Sequence, residues 1–342
     1  MKHISIINKF LGLIATIICS LGITGCSTDI PKLLEEGKNA FYNGDYVKAK
    51  NAFKQCANAD DPEGLFWLAN LTNYVSGHYS DTDTLAMSED EMYKYTLKLY
   101  EKAAEKNYGD AFARIAYYYR DGIGVNKDEN KYHECIDKSI ELNSASGKAM
   151  RGWLLLDEGK YEEAHKLIKE SADAGDYFGK CLLGRCYVFG TGIEEDINKG
   201  MDLLQESASH KNRDANNTLA SIYFSGYKSI KEDKVKAFKY AKEGSMIGGI
   251  TYIIAYCYTF GEGVEKDERR GAFFSHKSAL QGDVSGQTLW ADYCDSGYGT
   301  KQEAFEYYMK AADQDNVWAT TKVGEYLLKG TAGRTDYTQA KR

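Results

Sequence analysis

Apolar positions recur along this chain in blocks with a fixed internal spacing. Each block starts at a small or aliphatic residue: Ala111, Gly179, Ala215, Ile250, Gly286 or Ala319. Four positions on stands a large apolar residue (Ile115, Leu183, Leu219, Ile254, Trp290, Val323), and an Ala or Gly follows at once (Ala116, Gly184, Ala220, Ala255, Ala291, Gly324). Three positions later comes Tyr119, Tyr187, Tyr223 or Tyr258, replaced by Cys294 and Leu327 in the last two blocks. Offsets of four, five and eight share one face of a helix. The small residue beside the large one lets a neighbouring helix come close. Each block then stops at a glycine: Gly122, Gly190, Gly226, Gly261, Gly297 or Gly330. Glycine enters the left-handed conformation that ends helices at no steric cost.

A second apolar run follows each stop. Asp128, Asp196, Asp233, Asp267 and Asp336 precede these runs, where a carboxylate caps free backbone N–H groups and suits the positive end of the helix dipole. Three residues further stands Lys131, Lys199, Lys236, Arg270 or Gln339. From Gly190 the glycines step by 36, 35, 36 and 33 residues, a period that fits two short helices and two turns. One such pair cannot bury its own apolar stripe, whereas stacked pairs bury a continuous core. Two prolines in 342 residues and abundant Ala, Leu, Lys and Glu agree. The pattern predicts an all-α solenoid.

These positions resemble the Sel1-like repeat, A-x3-L-G-x2-Y-x2-G-x-G-V-x2-D-x2-K-A, a relative of the tetratricopeptide repeat. Gly261-Glu-Gly263-Val264-Glu-Lys-Asp267-Glu-Arg-Arg270-Gly271 follows it almost throughout. The resemblance implies a right-handed α-α superhelix, and Sel1-like proteins serve as assembly and signalling scaffolds. It covers roughly residues 63–342. Residues 63–110 form one unit carrying an acidic insertion from Gly77 to Asp90, and residues 111–342 form the tandem array. Within that array, residues 147–175 carry a shorter turn, Asp157-Glu-Gly-Lys-Tyr161, closer to a tetratricopeptide repeat. Residues 31–62 resemble one more tetratricopeptide unit, closed by Pro62.

The N-terminus follows different rules. Lys2, His3 and Lys9 precede a mostly apolar run from Phe10 to Leu21, too short for a membrane span and suited to a signal peptide. Ile23-Thr24-Gly25-Cys26 resembles the bacterial lipoprotein processing site. The resemblance implies that residues 1–25 are removed, that Cys26 is acylated, and that residues 26–30 form a short tether. Two or three acyl chains hold a protein at a membrane firmly. Ser27 stands where an Asp would retain a Gram-negative lipoprotein in the inner membrane. The expected location is therefore the cell envelope, at the outer membrane and facing the periplasm.

Loss of Lys2 and Lys9 takes the net charge from −7 to −9, and an acidic chain repels nucleic acid. Six cysteines remain beyond Cys26, with no C-x-x-C, and read as free buried thiols. The six histidines do not cluster at metal-ligand spacing. The Gly-x-Gly turns lack the Lys-Ser/Thr of a phosphate loop. One S-x-x-K, Ser225 to Lys228, is unaccompanied by the S-D-N or K-T-G of penicillin-recognising enzymes, so a β-lactam hydrolase is the least favoured reading. No cofactor or metal is expected, and the chain reads as a scaffold, not an enzyme.

What is left is surface. If offsets zero, four, five and eight are buried, offsets two, three and six face the concave side. That stripe holds Arg114, Tyr117, Arg185, Asn217 and Ser221, continuing through Tyr252, Tyr256, Asp292, Lys322 and Glu325. Tyr and Arg are frequent binding anchors. The expected partner is an envelope protein or peptide, with a glycan as the alternative ligand. The layout is also similar to that of outer-membrane lipoproteins that assist exopolysaccharide export.

Overall fold

The computed structural model describes residues 29–75, 88–245 and 250–331. The signal segment, Cys26 and the terminal Asp336 and Gln339 lie outside the described residues.

The chain is a right-handed superhelix of helix pairs. In order these are α1 (Ile30–Tyr42) with α2 (Tyr46–Asn58), α3 (Pro62–Val75) with α4 (Glu89–Glu105), and α5 (Gly109–Asp121) with α6 (Glu129–Glu141). Then come α7 (Ala145–Asp157) with α8 (Tyr161–Asp173), α9 (Tyr177–Phe189) with α10 (Ile197–Ser209), and α11 (Arg213–Ser225) with α12 (Lys234–Ser245). Last are α13 (Thr251–Phe260) with α14 (Glu268–Leu280), α15 (Val284–Tyr293) with α16 (Lys301–Ala312), and α17 (Val317–Lys329). Among the described residues there is no β-strand. The first, odd-numbered helices also pack against the next first helix, as α5 does on α7, α7 on α9 and α9 on α11. No comparable packing joins one even-numbered helix to the next. Odd-numbered helices therefore line the inside of the curve.

The pairs approach closely because small residues meet. A Cβ added to Gly147, Gly179 or Gly286 would lie 2.4, 2.3 and 2.3 Å from the Oγ of Ser139, Ser171 and Ser278 on the preceding second helix. In other units the same two positions are Ala103 and Ala111, Ser207 and Ala215, and Ala311 and Ala319, all with no exposed surface. Two of these serines reach a carbonyl at the start of the first helix of their own pair. Ser139 donates to Gly109 at 2.7 Å and Ser207 to Tyr177 at 2.5 Å. Both hydroxyls are thereby satisfied; Ser171 donates instead to Asp176 at 3.2 Å, and the Ser278 hydroxyl is buried with no partner among the described residues.

The turns inside each pair carry a second device. Gly122, Gly190 and Gly261 end their helices with φ of 71°, 64° and 73°. Asp128, Asp196, Asp233 and Asp267 accept from the backbone N–H three residues on, at 2.9–3.0 Å. The N–H of each capping Asp donates to the carbonyl of the repeated tyrosine, at 2.8–3.0 Å for Tyr119, Tyr187, Tyr223 and Tyr258. The repeated cation then covers that tyrosine's ring: Lys131 over Tyr119 at 4.8 Å, Lys199 over Tyr187 at 4.1 Å, Lys236 over Tyr223 at 4.9 Å and Arg270 over Tyr258 at 5.5 Å. Two repeat positions twelve or thirteen residues apart are thus partners.

The expected core face is buried except at four positions: Tyr119 and Tyr187, whose rings are half-exposed under their lysines, Gly324 near the end of the array, and Ile250. Ile250, expected as a buried starting residue, is the half-exposed N-cap of the short helix α13, and Thr251 takes the buried place instead.

Two measurements check this account. Gly286→Ala should lower stability by about 1–3 kcal/mol in thermal denaturation, since the new methyl group overfills a closed seam. A double-mutant cycle of Tyr187→Leu with Lys199→Met should return a coupling of about 0.5–1 kcal/mol, the size of an exposed cation–π pair; zero coupling would reduce the repeated Tyr and Lys to independent surface choices.

Candidate functional site

Side chains of inner helices α5, α7, α9 and α11 enclose a cleft of about 140 Å³. Arg120 lies at its edge with its guanidinium 4.6 Å from the Tyr117 ring centre and 4.9 Å from that of Trp153. Its Nε and Nη2 donate to both Asp121 oxygens at 2.7 and 2.8 Å. This bond holds the Asp121 carboxyl below the usual carboxylate range, with the charge of Arg213 adding to the effect. Arg213 Nε donates to Asp214 at 3.3 Å. Phe178, Leu182 and Arg185 complete the lining. Arg185 is exposed and makes no ion pair with any described residue. Burial pushes the Tyr117 phenol up, so it stays neutral.

One helical turn before Tyr117, Arg114 is held differently. Its Nε has no exposed surface and no hydrogen-bond partner among the described residues. Around it stand the phenols of Tyr100 and Tyr117 and the carboxyl groups of Asp176 and Asp110. Both carboxylates are engaged elsewhere. Asp176 accepts from Gly179 N–H at 2.7 Å and from the Ser146 hydroxyl at 2.8 Å, and Asp110 accepts from Ser144 at 2.5 Å.

The superhelix closes over this region. Tyr42, the last residue of α1, lies 6.4 Å from the Tyr177 ring at the start of α9 and 4.9 Å from His210, which stacks on Tyr177 at 3.8 Å. Tyr74 of α3 likewise feels the charge of Glu243 on α12. The first pair therefore reaches back across several others and forms one wall of the inner face beside Arg114.

No group of three or more His, Cys, Asp or Glu among the described residues could hold a metal ion. The six cysteines are free. Burial pushes the thiols of Cys135, Cys186 and Cys257 up to about 11, which makes them poor nucleophiles. Lys228 of the S-x-x-K is ion-paired with Glu195, which raises its pKa, the opposite of what a catalytic base requires. No helix among the described residues is long and apolar enough to cross a membrane.

The family profile for the Sel1 repeat matches residues 93–108, 110–142, 179–212, 213–248, 251–283 and 285–316, more than half of the chain. The protein belongs to the Sel1 repeat family. An uncharacterised Sel1-like repeat-containing protein of Schizosaccharomyces pombe is 21% identical over 248 residues, 70% of this chain and 34% of its own length. Chitin synthase regulatory factor 2 of the same yeast is 25% identical over 183 residues, 49% of this chain and 36% of its own. The chain thus spans about a third of the length of these relatives. Among solved structures, a protective antigen of uropathogenic Escherichia coli displaying an SLR fold is 24% identical, with a TM-score of 0.51 over 91% of this chain and 67% of that one. A Sel1 repeat protein of Oxalobacter formigenes is 19% identical, with a TM-score of 0.48 over 85% and 83%. The likeness to the Escherichia coli antigen shows the fold.

Within the Sel1 register, the ten candidate surface residues fall into local groups. Tyr117 and Arg185 line the cleft, with Arg114 beside Tyr117. Tyr252 and Tyr256 pack on Phe224 at 5.8 and 5.0 Å, and Lys234 lies 3.8 Å over the Phe224 ring. Asn217 accepts the Ile250 N–H at 3.4 Å, and Ser221 is half-buried nearby on α11. Asp292 holds Tyr308 at 2.5 Å and Trp318 at 3.5 Å, while Lys322 pairs with Glu325 at 3.6 Å.

Sequence spacing missed Trp153, Phe178, Arg120 and Arg213. Trp153 belongs to the same row as Tyr117, Arg185 and Tyr256, six residues after the seam residue Gly147. The shorter turn of that pair moves Gly159 one position out of register, so counting back from the glycine hides it. Phe178 and Arg120 sit seven residues before Arg185 and seven after Ala113, on the same face two turns away.

Tyr42→Ala should free the first pair from α9. Amide hydrogen exchange should then quicken in α1 and α2 while α11–α16 keep their protection, because each pair leans on its neighbours. Unchanged exchange in α1 would mean that the closure contributes nothing.

Proposed function

We propose that this Sel1 repeat protein is a membrane-tethered scaffold that binds a protein partner along its inner face. The observation that carries the reading is the cleft on α5, α7, α9 and α11, where arginine and aromatic side chains converge in a chain of net charge −7. Such residues anchor interfaces well: they offer large rigid area and directed hydrogen bonds at low entropic cost. The cleft holds about 140 Å³, which suits a side chain of a partner better than a small-molecule ligand, whose pockets span about 300–1,000 Å³. Ile23 to Cys26 supports an acylated anchor on the envelope, at the outer membrane and facing the periplasm, which sets the array where an envelope protein can reach it.

Crosslinking in intact envelopes, followed by affinity purification, tests this. The parent should capture one protein in stoichiometric yield, and a variant with Tyr117, Trp153, Arg185 and Tyr256 changed to Ala should lose it while keeping its helical signal. Cys26→Ser should release the protein from the membrane fraction. Capture of polysaccharide without protein would overturn the scaffold reading, and a partner retained by the folded variant would move the interface off the inner face.

A further inference from the structure

We propose that the outer face of α12 and α14 docks on an anionic lipid bilayer, by a surface separate from the inner cleft. This goes beyond the scaffold reading, since it concerns another side of the molecule. The second helices share a register, so each is a control for the others. Residues two, six, ten and thirteen places after the capping residue follow one another by four, four and three, and so share one helical face. In α10 that outward face carries Asp202 and Glu206. In α16 it carries Glu306 and Asp313 with Lys310. Neither has an apolar residue there. In α14, capped by Asp267, the same four places hold Arg269, Phe273, Lys277 and Leu280. Its neighbour α12 departs in the same way at the first two places, Val235 and Lys239, while Glu243 at the third pairs with Lys211 at 3.4 Å.

The apolar members of this face stand in water. Phe273 is 64% exposed, Leu280 69% and Val235 65%. The Phe273 ring meets Phe274 edge-on at 5.2 Å and turns its remaining surface outward. The cations between them are unspent. Lys239, Arg269 and Lys277 make no ion pair among the described residues, whereas Lys236, Lys266 and Arg270 beside them hold Asp233, Glu268 and Asp267. A single exposed apolar residue is ordinary, but cation and apolar side chains alternating along one helix, on a row that is acidic elsewhere, form a patch with a use.

Charge and shape together choose the partner. The α14 face runs from Arg269 to Leu280, an axial length of about 16 Å, and it is convex. A fluid bilayer needs no groove to meet such a surface. Phe273 and Leu280 can enter the headgroup level while the guanidinium and ammonium groups stay with the lipid phosphates. Anionic lipids repel Asp202, Glu206 and Glu306 on the adjoining outer helices, so the contact is confined to this part of the row. The inner helices α11 and α13 of the same pairs lie on the far side and stay open to a partner.

Depth-dependent quenching tests this on the full chain with vesicles. An NBD fluorophore is placed at Leu280→Cys, and a control at Glu306→Cys; the native thiols are buried or half-buried, and the unsubstituted chain sets the background. Doxyl-labelled lipid in vesicles of phosphatidylcholine with phosphatidylglycerol should quench the label at 280 and spare the label at 306. Vesicles of phosphatidylcholine alone should quench neither, and salt should reverse the contact. Arg269→Gln with Lys277→Gln should lower the ratio of quenched to unquenched label by about tenfold or more, since each cation near an anionic surface contributes about fivefold. The readout reports which face touches lipid, whatever part of the chain holds it on the vesicle. No quenching at 280, equal quenching at 306, equal quenching in phosphatidylcholine, or an unchanged ratio in the double variant would each overturn the proposal. A shift of the 280 label that grows with protein concentration in the absence of vesicles would also overturn it, and would place a second copy of the chain on this face. If quenching fails while envelope capture of a protein persists, the scaffold stands and the docking face falls; quenching as expected with no captured protein gives the reverse.

Discussion

At six of the eight junctions, all but α2–α3 and α12–α13, the second helix touches the following first helix at a point where neither side has a side chain larger than serine. Because Ser139, Ser171 and Ser278 face Gly147, Gly179 and Gly286, a Cβ on those glycines would meet an oxygen at 2.3–2.4 Å. This approach brings successive first helices near enough to pack on one another, as α7 does on both α5 and α9. The second helices, set further out, do not pack in the same way. A row of contacts on one side and none on the other makes the array curve, with the first helices inside. The curvature then returns Tyr42 to Tyr177 and His210 and buries the inner face beside Arg114.

The turns set the angle between the helices of a pair, and they do so with few residues. A left-handed glycine ends one helix, an Asp side chain starts the next, and the Asp N–H ties back to a tyrosine carbonyl. The cation that follows lies on the same tyrosine's ring. Tyrosine suits this place because its ring is half-buried against the core while its outer face takes a charge. The α1–α2 and α7–α8 pairs have three-residue turns at Asn43–Asp45 and Glu158–Lys160 and lie outside the matched Sel1 segments. Their helices still stack in the same row, since the seam and not the turn determines how pairs join.

Charge is sorted by geometry. Ion pairs on the outside are short-range and exposed, such as Lys169 with Asp173 and Lys138 with Glu141, and contribute little to stability. Arginines instead gather on the inner row, where two are neutralised by a neighbouring Asp and two are not.

Periodicity alone determined the helix pairs, their caps and the buried face, because those depend on contacts between residues within one repeat length. Ala111, Leu219 and Ala220 are buried where their offsets place them, and Asp196 caps where its position predicts. The inner row was legible as a direction: offsets two, three and six do lie on first helices that line the curve. Which members of that row meet was not legible. Trp153 joins Tyr117 and Arg120 only because pairs separated by a differently sized turn still stack at the seam. Arg114 lies under cover only because the superhelix brings Tyr42 back beside α9, a contact 135 residues away in sequence. Such contacts depend on the small rotation between successive pairs summed over several units. No single repeat encodes that sum, so the tertiary structure alone decided it.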